Sequence, residues 1–414
     1  MPSISKRAEF VPLSPFRKLV PIANRVKAEG KKVYHLNIGQ PDIETPQAAL
    51  EKLRNTDLRI LEYSPAEGIY SYRNKLVNYY EKFDVAVTPD DIIVTTGASE
   101  AIQILFQACF DAEDEIILPE PFYANYNGFA HIANLNIKPI TCVIEDGFAL
   151  PDITAFEALI RPKTKAIFIT NPNNPTGCFY SRESLEKLAV LVKKYDLFLF
   201  VDEVYREFCY DQQTFFSSLN LAGIEENVVV MDSISKRYSA CGARIGAIVT
   251  RNESLKQSII RYAKLRLSPP GLGQILAEAT LEMDETYIEY VKAEYDRRRR
   301  VLFNRLQAMP GVVSYRPGGA FYCFAQFPID SADKFCRWLL EDFDHQGATV
   351  MLSPGEGFYA TPGLGHNEVR IAYVLNTNDL EAAMDCLQKG LEVYPGRKGD
   401  NEAVLSGESL VSKR

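Results

Sequence analysis

An α/β fold, with a mostly parallel sheet covered by helices on both faces, is predicted over most of this chain by three observations. Short runs such as Ala166–Thr170, Leu197–Val201 and Asn227–Met231 are apolar almost without a break, as strands buried on both faces must be. Longer stretches with apolar residues at helical spacing, Ser181–Tyr195 among them, lie between these runs. The residues of unusual chemistry follow the ends of the runs, and an open α/β sheet binds its ligands at the carboxyl ends of its strands.

Taken in order, residues 1–46 read as an N-terminal arm that contributes to a smaller domain. A large α/β domain is expected over 47–285. It begins with the strand-like Ile92–Thr96 and a helix from Ser99 to Phe110, followed by the strand-like Glu115–Leu118 and a helix around Tyr126–Ala133. Ala166–Thr170 ends in a Pro/Asn-rich turn before the helix at Ser181–Tyr195, and the strands at 197–201 and 227–231 follow. A charged helical pattern at Thr286–Met309 suits a connector. Beyond it, Gly311–Tyr315 and Ala320–Phe327 flank a Pro317-Gly318-Gly319 turn, and helices over Ser331–Asp344 and Asn378–Leu391 complete a smaller α+β domain spanning 286–395. Residues 396–414 are polar and aperiodic, which predicts a frayed tail.

A formal charge of −8 argues against general affinity for nucleic acid or anionic membranes. The first ten residues lack the apolar core of a signal peptide, and no segment approaches a membrane-spanning length. The eight cysteines are scattered singly and read as reduced thiols, and the four histidines show no metal-ligand spacing, so a cytoplasmic protein without a metal site is expected. Arg297–Arg300, close behind Glu294 and Asp296, reads as a solvated helix face with local ion pairs.

Four segments can carry chemistry. In Ser233-Ile234-Ser235-Lys236, a lysine ends an apolar strand and precedes a Gly-containing turn with Arg244. The serines and Arg244 can donate to phosphate oxygens around a lysine held in a cleft, although the fragment alone is equally compatible with a surface loop. Asp202 ends the 197–201 run, where its carboxylate can pair with a protonated ring nitrogen and Tyr205 with a phenolic oxygen; it could also simply cap the next helix. Asn171–Gly177 is rigid turn chemistry that would present the Asn174 amide, and Gly97-Ala98-Ser99 opens a helix whose N–H groups can hold a phosphate. The glycine patterns of dinucleotide and P-loop sites are absent.

In order and spacing, these segments resemble the aspartate aminotransferase superfamily, the fold type I enzymes of pyridoxal 5'-phosphate (PLP), from about Asn37 to Tyr373. The resemblance implies a seven-stranded-type sheet in the large domain and a small domain built from both chain ends. It implies that Lys236 holds the cofactor as a Schiff base and moves the proton, that Asp202 partners the pyridine nitrogen, and that Tyr205 and Asn174 donate to the phenolic oxygen. Tyr123 matches the residue stacked on the ring. Gly97, Ala98, Ser99, Ser233, Ser235 and Arg244 match the phosphate site. Tyr63, in Tyr63-Ser64-Pro65-Ala66-Glu67-Gly68, matches a tyrosine reaching the phosphate of a neighbouring subunit, which implies a homodimer with shared sites. Gly39 and Arg370 match the groups that hold the substrate α-carboxylate, and Asn174 is expected to bind substrate with them and set its alignment.

The implied reaction is transfer of an amino group between an amino acid and a 2-oxo acid, with aspartate and 2-oxoglutarate leading and aromatic or branched-chain amino acids as alternatives. A lyase or decarboxylase would share every cofactor residue. A second carboxylate partner cannot be identified from the sequence; Arg17, Arg25, Arg266 and other cations are all compatible with that task.

Overall fold

The computed structural model describes residues 2–9, 11–12 and 17–399; of the expected tail, 400–414 lie outside the described residues. Strand β1 (Lys32–His35) is followed by the seven strands of the main sheet. These are β2 (Ile92–Thr95), β3 (Glu115–Glu120), β4 (Asn136–Thr141), β5 (Thr164–Thr170), β6 (Phe198–Asp202), β7 (Val228–Ser233) and β8 (Gly246–Thr250). Their spatial order is β2-β8-β7-β6-β5-β3-β4, and β8 alone runs against its neighbours.

The near-continuous apolar runs are explained by where their side chains go. Val228 and Val230 enter a core cluster on one face with Leu188 and Val192 of the helix Arg182–Tyr195. Val229 and Met231 enter a second cluster on the other face with Leu105 of the helix Ala98–Cys109. Successive strand residues point to opposite faces, so a sheet covered on both sides needs every position apolar. Each such burial contributes roughly 1.5–3 kcal/mol. Strand β4 escapes the sequence patterning because Asn136, Lys138 and Pro139 break any apolar run; it lies at the sheet edge, where proline is tolerated.

The remaining strands are β9 (Val313–Ser314), β10 (Tyr322–Gln326), β11 (Ala348–Met351), β12 (Ser353–Pro354) and β13 (Glu368–Ala372). β10 lies between β13 and β9, and β12 extends that sheet beyond β13. β1 pairs in parallel with β11, which ties the N-terminal segment to the C-terminal one. A third core cluster joins β1, β10, β11 and β13 to the helices Val20–Ala28, Thr286–Gln307, Ala332–Glu341 and Thr377–Val393, and it takes in Tyr205 and Phe208 from the loop after β6.

The arginine run departs from expectation. Only Arg297 and Arg300 are exposed. Arg298 is buried and pairs with Glu294 at 2.8 Å and Asp42 at 2.6 Å, while Arg299, fully buried, reaches Asp211 at 2.7 Å and Asp296 at 2.5 Å. Four consecutive helical positions sweep nearly a full turn, so some must face inward, and those two bring carboxylates with them. Among the described residues no helix is long and apolar enough to cross a membrane, and no His/Cys/Asp/Glu group has the arrangement of a metal site.

Candidate active site

Strands β2, β5, β6 and β7 run the same way, so Thr95, Thr170, Asp202 and Ser233 come to one edge of the sheet. A cavity of about 400 Å³ opens there against β10 and β13. Lys236, Asp202, Tyr205 and Asn174 line it, with Tyr123, Gly39 and Arg370 around them. Ala98, Ser99, Ser233, Ser235 and Arg244 form another part of the same wall. Two expected residues do not line it. Gly97 stands one step behind, and Tyr63 lies outside its own chain's cavity with 77% of its surface exposed.

Ser233 accepts from Ser235 N–H at 3.1 Å, and its hydroxyl donates to the Ile245 carbonyl at 2.9 Å, which starts the short turn carrying Lys236. The Lys236 ammonium donates to the Gly39 carbonyl at 2.7 Å. Asp202 is buried at the end of β6, accepting from Tyr126 Oη at 2.8 Å and from Val204 N–H at 3.2 Å. Burial raises its carboxyl to about 6. An ionised carboxylate in that position favours a cationic partner.

Asn174 belongs to a turn held by Asn173, whose side chain accepts from Thr176 N–H at 3.1 Å and Thr176 Oγ1 at 2.8 Å. The Asn174 side-chain oxygen accepts from Arg370 Nη1 at 3.1 Å, and Arg370 Nη2 donates to the Asn37 carbonyl at 2.6 Å. The Arg370 guanidinium sits over the Tyr322 ring at 4.8 Å. The helix Ala98–Cys109 begins after Gly97, whose φ of +74° suits glycine. A Cβ on Gly97 would lie 2.4 Å from Arg244 Nη2, so its absence lets Arg244 close over the helix start.

This donor set fits pyridoxal phosphate. Three serine hydroxyls, a guanidinium and the first N–H groups of a helix suit a phosphate dianion. A buried acid suits a ring N–H, and the Lys236 amine lines the same cavity.

A family model for aminotransferases of class I and II matches residues 31–387. The chain belongs to that family. This aminotransferase is 30% identical to an aspartate aminotransferase of Pyrococcus horikoshii over 94% of its own length and 97% of the relative's. It is 28% identical to aromatic-amino-acid aminotransferase 2 of Thermococcus litoralis, over 94% and 98%. Its fold superposes on the aspartate aminotransferase of Thermotoga maritima with a TM-score of 0.86 at 28% identity, covering 94% of this chain and all of that one. An alanine aminotransferase of Pyrococcus furiosus gives 0.85 at 30%, covering 94% and 99%. The aminotransferase is therefore PLP-dependent, acts on amino and oxo acids, and has the α/β fold predicted for it.

Among the lining residues of the aminotransferase that its sequence did not single out are Tyr126, Thr170 and Tyr322. Tyr126 and Thr170, hydroxyls 2.9 Å apart, stand behind Asp202; the three-residue spacing from Tyr123 was the one local signal for Tyr126. Tyr322 is one of several aromatic residues in 320–327, and nothing local distinguishes it.

Proposed function

We propose that Lys236 is the cofactor lysine and proton carrier, that Asp202 holds the ring nitrogen protonated, and that Arg370 with Asn174 holds the substrate α-carboxylate. The convergence of Lys236, Asp202, Tyr205, Asn174 and Arg370 on one cavity carries this reading. When bound, pyridoxal phosphate supplies an aldehyde that condenses with amines and a ring that accepts electrons from the substrate Cα. Tyr205 and Asn174 donate to the phenolic oxygen, and Tyr123 covers the ring. Ala98, Ser99, Ser233, Ser235 and Arg244 bind the phosphate, with Gly97 shaping that wall from behind. Arg370 offers two parallel N–H donors, so it fixes both the position and the rotation of a carboxylate. Lys236 takes the Cα proton as a general base and returns it as an acid.

Aspartate and 2-oxoglutarate are the leading substrate pair, supported by relatives that carry the aspartate aminotransferase name. A homodimer is supported by the exposure of large apolar side chains close in sequence to Tyr63, Ile60 (76%) and Leu61 (63%), because soluble monomers rarely leave clustered apolar surface uncovered. A cytoplasmic location is supported by eight cysteines that form no disulfide.

The test is the visible absorption of the PLP-loaded protein. L-Aspartate added alone should bleach it, and 2-oxoglutarate should restore it. Release of ammonia or CO₂ from aspartate without any oxo acid would overturn the transaminase assignment of these residues.

A further inference from the structure

Arg370 is held by more than its hydrogen bonds. Its guanidinium lies over the Phe358 ring at 4.9 Å as well as over the Tyr322 ring at 4.8 Å. Phe358 ends the turn Gly355–Phe358 between β12 and β13. Its ring is buried and meets Phe324 of β10 edge to face at 5.6 Å.

The stretch that carries Phe358 is fastened to the main sheet by three bonds. Phe122 N–H donates to the Phe358 carbonyl at 2.9 Å. Glu120, the last residue of β3, accepts on one carboxylate oxygen from Ala360 N–H at 2.9 Å and from Thr361 N–H at 3.1 Å. Its other oxygen accepts from Thr141 Oγ1, at the end of β4, at 2.9 Å. Glu120 is fully buried and does not line the cavity. A carboxylate in such a place is costly unless donors meet its oxygens, and two successive backbone N–H groups and a hydroxyl do so here. Ala360 also packs against the core cluster of Phe122 and Tyr126, as does Tyr123.

The consequence concerns the relation between two sheets. Arg370 lies on β13, whereas Lys236 sits on the turn after β7 of the main sheet. The placing of a carboxylate clamp relative to the reacting amine therefore depends on what joins the two sheets near it. A desolvated guanidinium gains from contact with a ring face, and a planar group against two rings has few orientations left.

We propose that Glu120 is a positioning residue for the α-carboxylate site. Its carboxylate holds residues 358–361 on the end of β3, which keeps the Phe358 ring against Arg370 and fixes the tilt of the guanidinium fork. This rests on the assignment of Arg370 to the α-carboxylate.

The experiment uses the full-length, PLP-loaded protein and succinate, which carries carboxylates and no amine, with its binding read by the cofactor absorption. Glu120→Ala should raise the succinate Kd about 5- to 30-fold, the worth of a desolvated cation–ring contact. The KM for amino and oxo acids should rise alike, with kcat kept within about 3-fold. Glu120→Gln should restore binding, since its amide offers an oxygen to the two N–H groups and an N–H to Thr141. Phe358→Leu should match Glu120→Ala, and combining the two should weaken binding by less than about 2-fold beyond either alone. If Glu120→Ala does not load with PLP, Glu120→Asp, which withdraws the carboxylate by one methylene, carries the same expectation. Succinate binding that survives the loss of Glu120 with only the melting temperature lowered overturns the proposal, as does a double variant whose effects multiply in full. Unchanged succinate binding in Arg370→Lys would instead overturn the α-carboxylate assignment beneath it.

Discussion

The hydroxyls of Tyr205 and Tyr322 stand 2.9 Å apart, both buried, one from the loop after β6 and the other from the start of β10. Their rings meet edge to face at 5.6 Å, and the Arg370 guanidinium lies over the Tyr322 ring. Tyr322 Oη occupies the space a Cβ on Gly39 would need, 1.7 Å from it. One side chain therefore links the proposed phenolic-oxygen donor to the proposed carboxylate clamp. Removing its hydroxyl in Tyr322→Phe should lower kcat/KM about 3- to 12-fold, the worth of one buried hydrogen bond. The pH at which the loaded protein's visible band titrates should move, upward if the Tyr322 hydroxyl donates to Tyr205 and downward if it accepts from it. An unmoved titration would show that the Tyr322 hydroxyl plays no part.

Lys236 is expected to carry the cofactor covalently. Borohydride reduction of the loaded protein should leave the cofactor mass on the peptide containing Lys236. Lys236→Ala should lose both that label and at least about 10³-fold in activity, within the range of a lost general base. A label on another lysine would refute the assignment.

Arg370 is held by Asn174, the Asn37 carbonyl and the Tyr322 ring, so its fork has one orientation. Arg370→Lys keeps the charge and loses the fork. The KM for amino and oxo acids alike should rise about 10- to 100-fold, with cofactor binding unchanged. Steady-state kinetics with both substrate classes reads it directly.

Behind the cavity, Asp232, Glu203, Arg206 and Arg237 form a buried cluster of two acids and two bases. Arg237 reaches Asp232 at 2.7 Å, Arg206 reaches Glu203 at 3.2 Å, and Tyr80 donates to Asp232 at 3.1 Å. Burial opposes ionisation of Asp232, yet the two arginines hold its carboxyl well below the ordinary range. Arg237→Met should destabilise the fold by about 3–5 kcal/mol, because it strands a buried charge. Adding Asp232→Asn should recover part of that loss in denaturant titrations, and a strictly additive double variant would contradict the coupling.

Glu368 on β13 accepts from Tyr359 Oη at 2.7 Å, and burial raises its carboxyl from an ordinary 4.5 to about 7. In the unfolded chain the group ionises near its ordinary value, so between the two values the folded state binds more protons. Stability therefore falls as pH rises through that window. Glu368→Gln should flatten the fall in stability from about pH 5 to about pH 8 by roughly 1–3 kcal/mol. Thermal melts of both proteins across that range measure it, and parallel curves would count against the shift.

What the sequence determined by itself was local in origin. Runs such as Val228–Met231 must be doubly buried strands because no water-facing side chain interrupts them, and Asp202 and Lys236 stood out because one follows such a run directly and the other sits in the short polar segment after one. The arrangement of Tyr126 behind Asp202, of Tyr322 between Tyr205 and Arg370, and of Arg17 at the cavity was decided by the tertiary structure. Tyr126 and Tyr322 are fixed by bonds to partners 44 to 117 residues away, and the encounter depends on how whole elements pack. The same holds for Arg298 and Arg299, whose sequence looks solvated and whose burial is set by Asp42 and Asp211 arriving from other parts of the chain. Local pattern fixes which face of an element is apolar; only packing decides which polar groups are carried inside with it, since each of them must meet a partner there.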